Sequence, residues 1–158
     1  MLFTPNRTQL NYETAVQDFR RLYRQALWQQ FNAWVSGKAS NLLSYDDVRT
    51  KVDVSRIGKP VLREVPLNGI QGSVDRYLEY TPDFLPKRLC AEERWARIKT
   101  AVLDMRGVPP IELFELDGVY FVQDGHHRVS VARQLGVPTI TAYVTTLETR
   151  PTDQMTAA

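Results

Sequence analysis

The ionisable chemistry of this chain is concentrated in one short run, Asp124-Gly125-His126-His127-Arg128. The chain has 2 histidines and both stand here, directly ahead of an arginine. If a helix starts at His126, its first-turn N–H groups have no partner within the helix. The helix dipole adds roughly half a positive charge at the same end. An anion is held there by backbone alone. Arg128 adds a planar fork suited to phosphate oxygens, the imidazoles of His126 and His127 add donors near neutral pH, and Gly125 lets a ligand approach the backbone closely. The chemistry predicted is phosphate binding. The plain alternative makes Asp124 an N-cap, one histidine a buried hydrogen-bonding residue and Arg128 half of a surface ion pair. No metal site is expected, because adjacent histidines diverge on a helix and a third is lacking.

A second cluster lies upstream in IQGSVDRYLEYTPDFLP, residues 70–86. Ser73 and Arg76 suit a phosphate or an acidic substrate. Phosphoryl transfer also needs a carboxylate beside the accepting hydroxyl. Asp75 and Glu79 are the residues of that kind put forward as catalytic, with Asp83 as a further candidate; the alternative is a solvated loop. Asp124 is also suited to orient a magnesium-bound water, a role for a hard oxygen ligand.

The elements that position these groups are legible in the spacing. Residues 11–36 carry Phe19, Leu22, Tyr23, Ala26, Leu27, Phe31 and Trp34 at helical intervals, with Asn11 or Thr14 as cap and Gly37 as stop. That stripe predicts core packing or a contact with a second copy. A short helix is expected over 45–52, capped by Ser44. Val61–Leu67 reads as a strand ending at a rim, since Pro66 cannot donate to a ladder. A loop follows, then a helix over 92–106 with Trp95, Ile98, Val102 and Met105 on one face. Ile111–Leu116 and Val119–Val122 are two strands joined by Asp117-Gly118, a type I′ hairpin signal. Residues 126–135 form a helix stopped by Gly136, and Thr139–Thr145 alternates as a half-buried strand. The predicted fold is α+β: a small mixed sheet with helices over residues 61–146, a helical N-terminal region over 1–60, and a flexible tail over 147–158.

The bulk properties narrow the class. With 158 residues, 43% of them hydrophobic and 24% charged, the chain reads as an ordinary globular protein. Its 1 cysteine, Cys90, excludes an intrachain disulfide. The start lacks the pattern of a signal peptide, and no run is long and apolar enough for a membrane span. A cytoplasmic location without a membrane partner is expected. Net charge is +2, which does not by itself call for a nucleic acid.

DGHHRVSVARQLG resembles the signature of the ParB N-terminal-like/sulfiredoxin superfamily, in which a strand-to-helix turn followed by an Ala-rich helix cradles nucleotide phosphates. IQGSVDR is similar to the segment after the first strand of ParB-like proteins. The resemblance spans residues 62–146. It implies a nucleotide partner (CTP, ATP or ADP, with Mg2+ as a possible companion) held by Ser73, Arg76, Asp124, Gly125, His126, His127 and Arg128. The superfamily's activities diverge, and the alternatives implied are a small-molecule kinase or NTPase, and a DNA-binding or nuclease module with DNA as partner. Sulfiredoxin chemistry is not expected, since His126 stands where that turn needs a cysteine. Nor is a full ParB clamp expected, since 12 residues after Thr146 are too few for a helix-turn-helix.

Overall fold

The structure, a computed structural model, describes residues 4–150. The elements are α1 (Arg7–Ser36), β1 (Leu43–Ser44), α2 (Tyr45–Arg49), β2 (Val54–Ile57), β3 (Val61–Pro66), β4 (Ile70–Ser73), α3 (Glu92–Leu103), β5 (Ile111–Leu116), β6 (Val119–Asp124), α4 (His126–Leu135) and β7 (Thr139–Thr149). The architecture is α+β, as expected.

One mixed sheet runs in the order β1-β4-β6-β5-β7-β2, with β3 also on β7. β5 and β6 form the expected hairpin; Asp117 and Gly118 take the positive φ values of 50° and 80° that a type I′ turn requires. β7 is the longest strand. Its first half pairs antiparallel with β3 and its end with β2, while β5 lies parallel along its other edge. β3 has β7 as its one neighbour, so Pro66 ends an edge strand as predicted.

Several boundaries differ from the sequence reading. Helix α1 starts at Arg7, because the Asn6 side chain caps it by accepting from the Gln9 N–H at 2.9 Å. Residues 70–73, read as loop, form strand β4, inserted between β1 and β6. The region 1–60 contributes two strands, β1 and β2, as well as helices. β7 continues three residues past Thr146, because Leu147 is buried against Phe121 and Leu116. Residues 151–158 of the expected tail lie outside the described residues. Helix α3 stops at Leu103, leaving Met105 exposed beyond its end rather than on the packed face.

Two hydrophobic clusters join the sheet to α4, and α4 to α3 and α1. Val65, Ile70, Tyr80, Phe84, Ile111, Val122 and Val129 form the core between sheet and α4. Phe19, Leu22 and Ala26 of α1 meet Trp95 and Ala96 of α3 and Val131 of α4. This packing removes the N-terminal helix's first apolar stripe from water, worth roughly 25 cal/mol per Å² buried. A buried ion pair, Lys99 with Asp18, crosses the same α1–α3 contact.

Candidate functional site

The site exists because β4 and β6 are parallel neighbours. Ser73, at the end of β4, lies in register with Val122 of β6. The chain therefore leaves both strands at the same edge of the sheet, and the two sequence clusters, about 50 residues apart, emerge side by side. The carboxyl ends of parallel strands are where such folds place ligands.

Gly125 joins β6 to α4. Its φ of 111° is unfavourable for a residue with a side chain, and a Cβ there would sit 2.4 Å from Ile111 Cγ2. Glycine is thus required twice over. Its carbonyl accepts the first helical bond, from the Val129 N–H at 3.0 Å. No side chain caps α4. The alternative reading of Asp124 as an N-cap does not hold: its carboxylate turns to the Arg128 guanidinium at 2.6 Å. The amides of the first turn are left for another acceptor.

That end of α4 opens on a cavity of about 190 Å³. Asp75, Arg76, Arg94, Gln123, Asp124 and the 125–128 turn line it, with Ile98 at one wall. The volume is below the ~300–1,000 Å³ of a pocket for a whole drug-sized ligand; it has room for a small anionic group.

The two histidines are held differently. His126 is 3% exposed. Its Nε2 lies 2.7 Å from Ser73 Oγ, which also accepts from the Arg76 N–H at 2.8 Å. Its ring stacks on that of Tyr80. Burial pulls its pKa down to about 4, with the Asp75 carboxylate opposing and Arg76 reinforcing the shift. His127 is half-buried, and its Nδ1 meets the Tyr80 hydroxyl at 2.8 Å. Burial, then the cations Arg76, Arg94 and Arg128, pull its pKa down to about 4 as well. Both rings are neutral at pH 7.

The donor inventory assigns a tautomer to His127. Tyr80 is 1% exposed, and burial pushes its phenol well above the ordinary tyrosine value. It keeps its hydrogen, and His127 Nδ1 is its one hydrogen-bond partner among the described residues. The O–H therefore donates to Nδ1, since the reverse arrangement buries an unpaired hydroxyl hydrogen. The ring hydrogen of His127 is then on Nε2, a neutral donor on a residue that lines the cavity.

Arg128 is placed otherwise than the sequence suggests. Its Nη1 donates to the carbonyls of Pro109 and Pro110 at 2.7 and 2.8 Å, and its Nη2 to Asp124. It borders the cavity but spends its fork on the protein. Ser73 likewise is fully buried and engaged, positioning His126 and Arg76. Glu79 lies outside the cavity, 3.9 Å from Arg76 and 3.8 Å from Arg88. Asp83 lies elsewhere, accepting from Gln29 at 3.0 Å. Asp75 alone among the proposed carboxylate bases lines the cavity.

Sequence reasoning missed Arg94 and Gln123. Arg94 sits in the first turn of α3 and has no hydrogen-bonded or ion-paired partner among the described residues. Nothing local marks it, since an arginine in an EERWAR stretch reads as a solvated helix face. Gln123 follows the apolar run of β6, and a polar residue at a strand end is the signal that marks it. Arg76 is the cation that both sequence and structure bring to the cavity.

No group of three or more metal-ligating side chains is present among the described residues, and no helix among them is long and apolar enough to cross a membrane. No protein-family description and no curated protein matches the sequence. Among solved structures, the crystal structure of sulfiredoxin from Arabidopsis thaliana is similar to this chain, with 25% identity and a TM-score of 0.41, covering 54% of this chain and 84% of that one.

Proposed function

We propose that the cavity at the start of α4 binds the phosphate groups of a nucleotide. The observation that carries this reading is an uncapped helix N-terminus facing a polar cavity that Arg76 and Arg94 also line. Backbone amides and two guanidinium groups supply the charge and the forks that phosphate oxygens need. His127 Nε2–H adds a donor that does not depend on protonation. Gly125 allows phosphate to reach the amides. The proposed partners are CTP, ATP or ADP at this cavity and a second copy of the chain along α1.

The residues fit a nucleotide that brings magnesium. Asp75 and Asp124 present carboxylates to the same cavity, and Mg2+ is usually held by one or two carboxylates plus substrate phosphates. The ion would neutralise phosphate charge during transfer. Asp75 also supports a second, narrower reading, that the site transfers or hydrolyses phosphate. Asp75 lines the cavity without the Arg128 contact that holds Asp124, and it would accept a proton from the attacking hydroxyl or water.

The test is thermal unfolding with pyrophosphate, CTP, ATP, ADP and GTP, with and without magnesium. A ligand at 100 times its dissociation constant stabilises by about 2.7 kcal/mol. Arg94→Ala and Arg76→Ala are expected to abolish the shift. No stabilisation by any of these at millimolar concentration refutes the binding reading. Consumption of nucleotide that Asp75→Asn stops, with binding retained, establishes the narrower one.

A further inference from the structure

Helix α1 carries two apolar faces. One, made by Ala15, Phe19, Leu22 and Ala26, is buried against Trp95 and Ala96 of α3 and Val131 of α4. The other comprises Leu27, Trp28, Phe31, Trp34 and Val35, which are 48%, 67%, 52%, 80% and 66% exposed. At 100° per residue, this second face is centred on Phe31 and points about 150° away from the first. Trp28 stacks edge-on to Phe31 and Phe31 tilts against Trp34, so the rings form one continuous ridge.

The sequence of this ridge reads nearly the same in both directions from Phe31: Trp28 balances Trp34, Leu27 balances Val35, Gln30 balances Asn32, and Arg24 balances Lys38. We infer that this face is the interface of a two-fold symmetric dimer in which α1 pairs antiparallel with α1 of a second copy, the axis passing at Phe31. In that register Phe31 meets its own counterpart, Trp28 faces Trp34 of the second copy, and Leu27 faces its Val35. Every apolar layer meets an apolar layer, which is what a self-complementary interface requires.

A socket for the contact is already formed. Arg24, Leu27, Trp28 and Phe31 enclose a shallow groove of about 370 Å³. These positions, i, i+3, i+4 and i+7, are the four corners of a knobs-into-holes socket. The antiparallel register brings Trp34 of the second copy over it, and Trp34 is the most exposed ring of the ridge. The five ridge side chains would bury roughly 600 Å² per copy, and the flanking polar stems bring this towards the ~800 Å² per partner of a standard interface. Two other occupants present different chemistry. Residues 19–45 contain no carboxylate, so an anionic membrane or a single-stranded nucleic acid would also find complementary charge. Those two need the basic groups, whereas the dimer sets Arg24 near Lys38 of the second copy and is opposed by them.

Ionic strength separates these occupants. Sedimentation equilibrium on the full chain with Cys90→Ser, across about 1 µM to 1 mM, is expected to show a monomer–dimer equilibrium that tightens with added salt, because salt screens the like charges at the rim. Trp34→Glu is expected to raise the dimer dissociation constant about 30-fold or more, the effect of losing an interface anchor. Val35→Glu serves the same purpose if Trp34→Glu does not fold. For the register, a mixture of Trp28→Cys and Trp34→Cys chains is expected to cross-link on oxidation, whereas Trp28→Cys alone does not. A parallel pairing gives the opposite pattern and overturns the register. A monomer at every concentration overturns the dimer. So does salt-weakened binding of the monomer to phosphatidylserine vesicles or to an oligothymidylate, either of which assigns the ridge to an anionic partner. None of these outcomes depends on whether nucleotide binds at α4.

Discussion

The depressed pKa of His126 makes a definite demand on stability against pH. In the unfolded chain this imidazole takes up a proton near 6.5, whereas in the fold it does so only near 4. Between those values the unfolded state binds more protons than the native state, so stability falls as pH falls. The contribution is present in full above pH 6.5 and is exhausted as pH drops through 4. One pKa unit corresponds to about 1.4 kcal/mol, so the full span is on the order of 3 kcal/mol and the loss by pH 5 about 2 kcal/mol. His127 shifts in the same direction, but its ring is half-buried and water screens it, so its share is smaller. Carboxylates titrate mostly below pH 5, which leaves the window from 7 to 5 to the histidines. The assay is urea unfolding at pH 8, 7, 6 and 5, repeated for His126→Gln, which has no group to protonate there. The wild-type curve is expected to drop across the window and the variant's to flatten. A wild-type stability that is level from pH 7 to pH 5, or a variant that keeps the wild-type slope, would refute the claim that burial holds this ring neutral.

Gly125→Ala is expected to destabilise by about 2–4 kcal/mol, because it combines an unfavourable positive φ with a collision against Ile111; chemical denaturation reads it directly. Asp18→Ala strands the buried Lys99 ammonium and is expected to cost about 3 kcal/mol, much of which a second change, Lys99→Met, recovers. Tyr80→Phe removes the donor that sets the His127 tautomer and is expected to cost about 1 kcal/mol of stability. The ring ¹⁵N shifts of His127 should then move towards a tautomer mixture, and phosphate binding should weaken several-fold. Unchanged ring shifts would show that another group fixes that ring.

Where local spacing sets the conformation, the sequence was a sufficient guide. Asp117-Gly118 reads as a hairpin because few dipeptides adopt two positive φ angles, and the structure has that hairpin. Gly37 and Gly136 stop their helices in the left-handed conformation for the same kind of reason. The larger misses involve forces that act across the chain. IQGS reads as loop since it is short and has a glycine, yet it is a strand. Gly72 lies so close to Phe121 and to the Leu43 carbonyl that a Cβ would come within 2.3 and 2.9 Å of them. The glycine that weakens the strand locally is what admits it between β1 and β6. The α1 stripe reads as one face because Phe19, Leu22, Ala26, Leu27, Phe31 and Trp34 all recur at helical spacing. Only the position of α3 divides it into a packed half and an open half.

The site shows the same division at the level of single charges. The DGHHR turn reads as a helix start suited to an anion, and the structure has there a glycine in a positive-φ conformation, no capping side chain and a cavity beyond. What the turn does not reveal is which cations face the cavity. Arg128 looks like the natural one, but the Pro109-Pro110 turn that ends the approach to β5 leaves two carbonyls beside α4, and prolines offer no N–H with which to build a local network. Arg128 donates to both carbonyls while also holding Asp124. The countercharge for an anion at this helix end therefore falls to Arg76, delivered by the end of β4, and to Arg94, delivered by α3. Neither can be assigned from the helix that carries the amides, because each reaches the cavity only once β4 has paired with β6 and α3 has packed on α4.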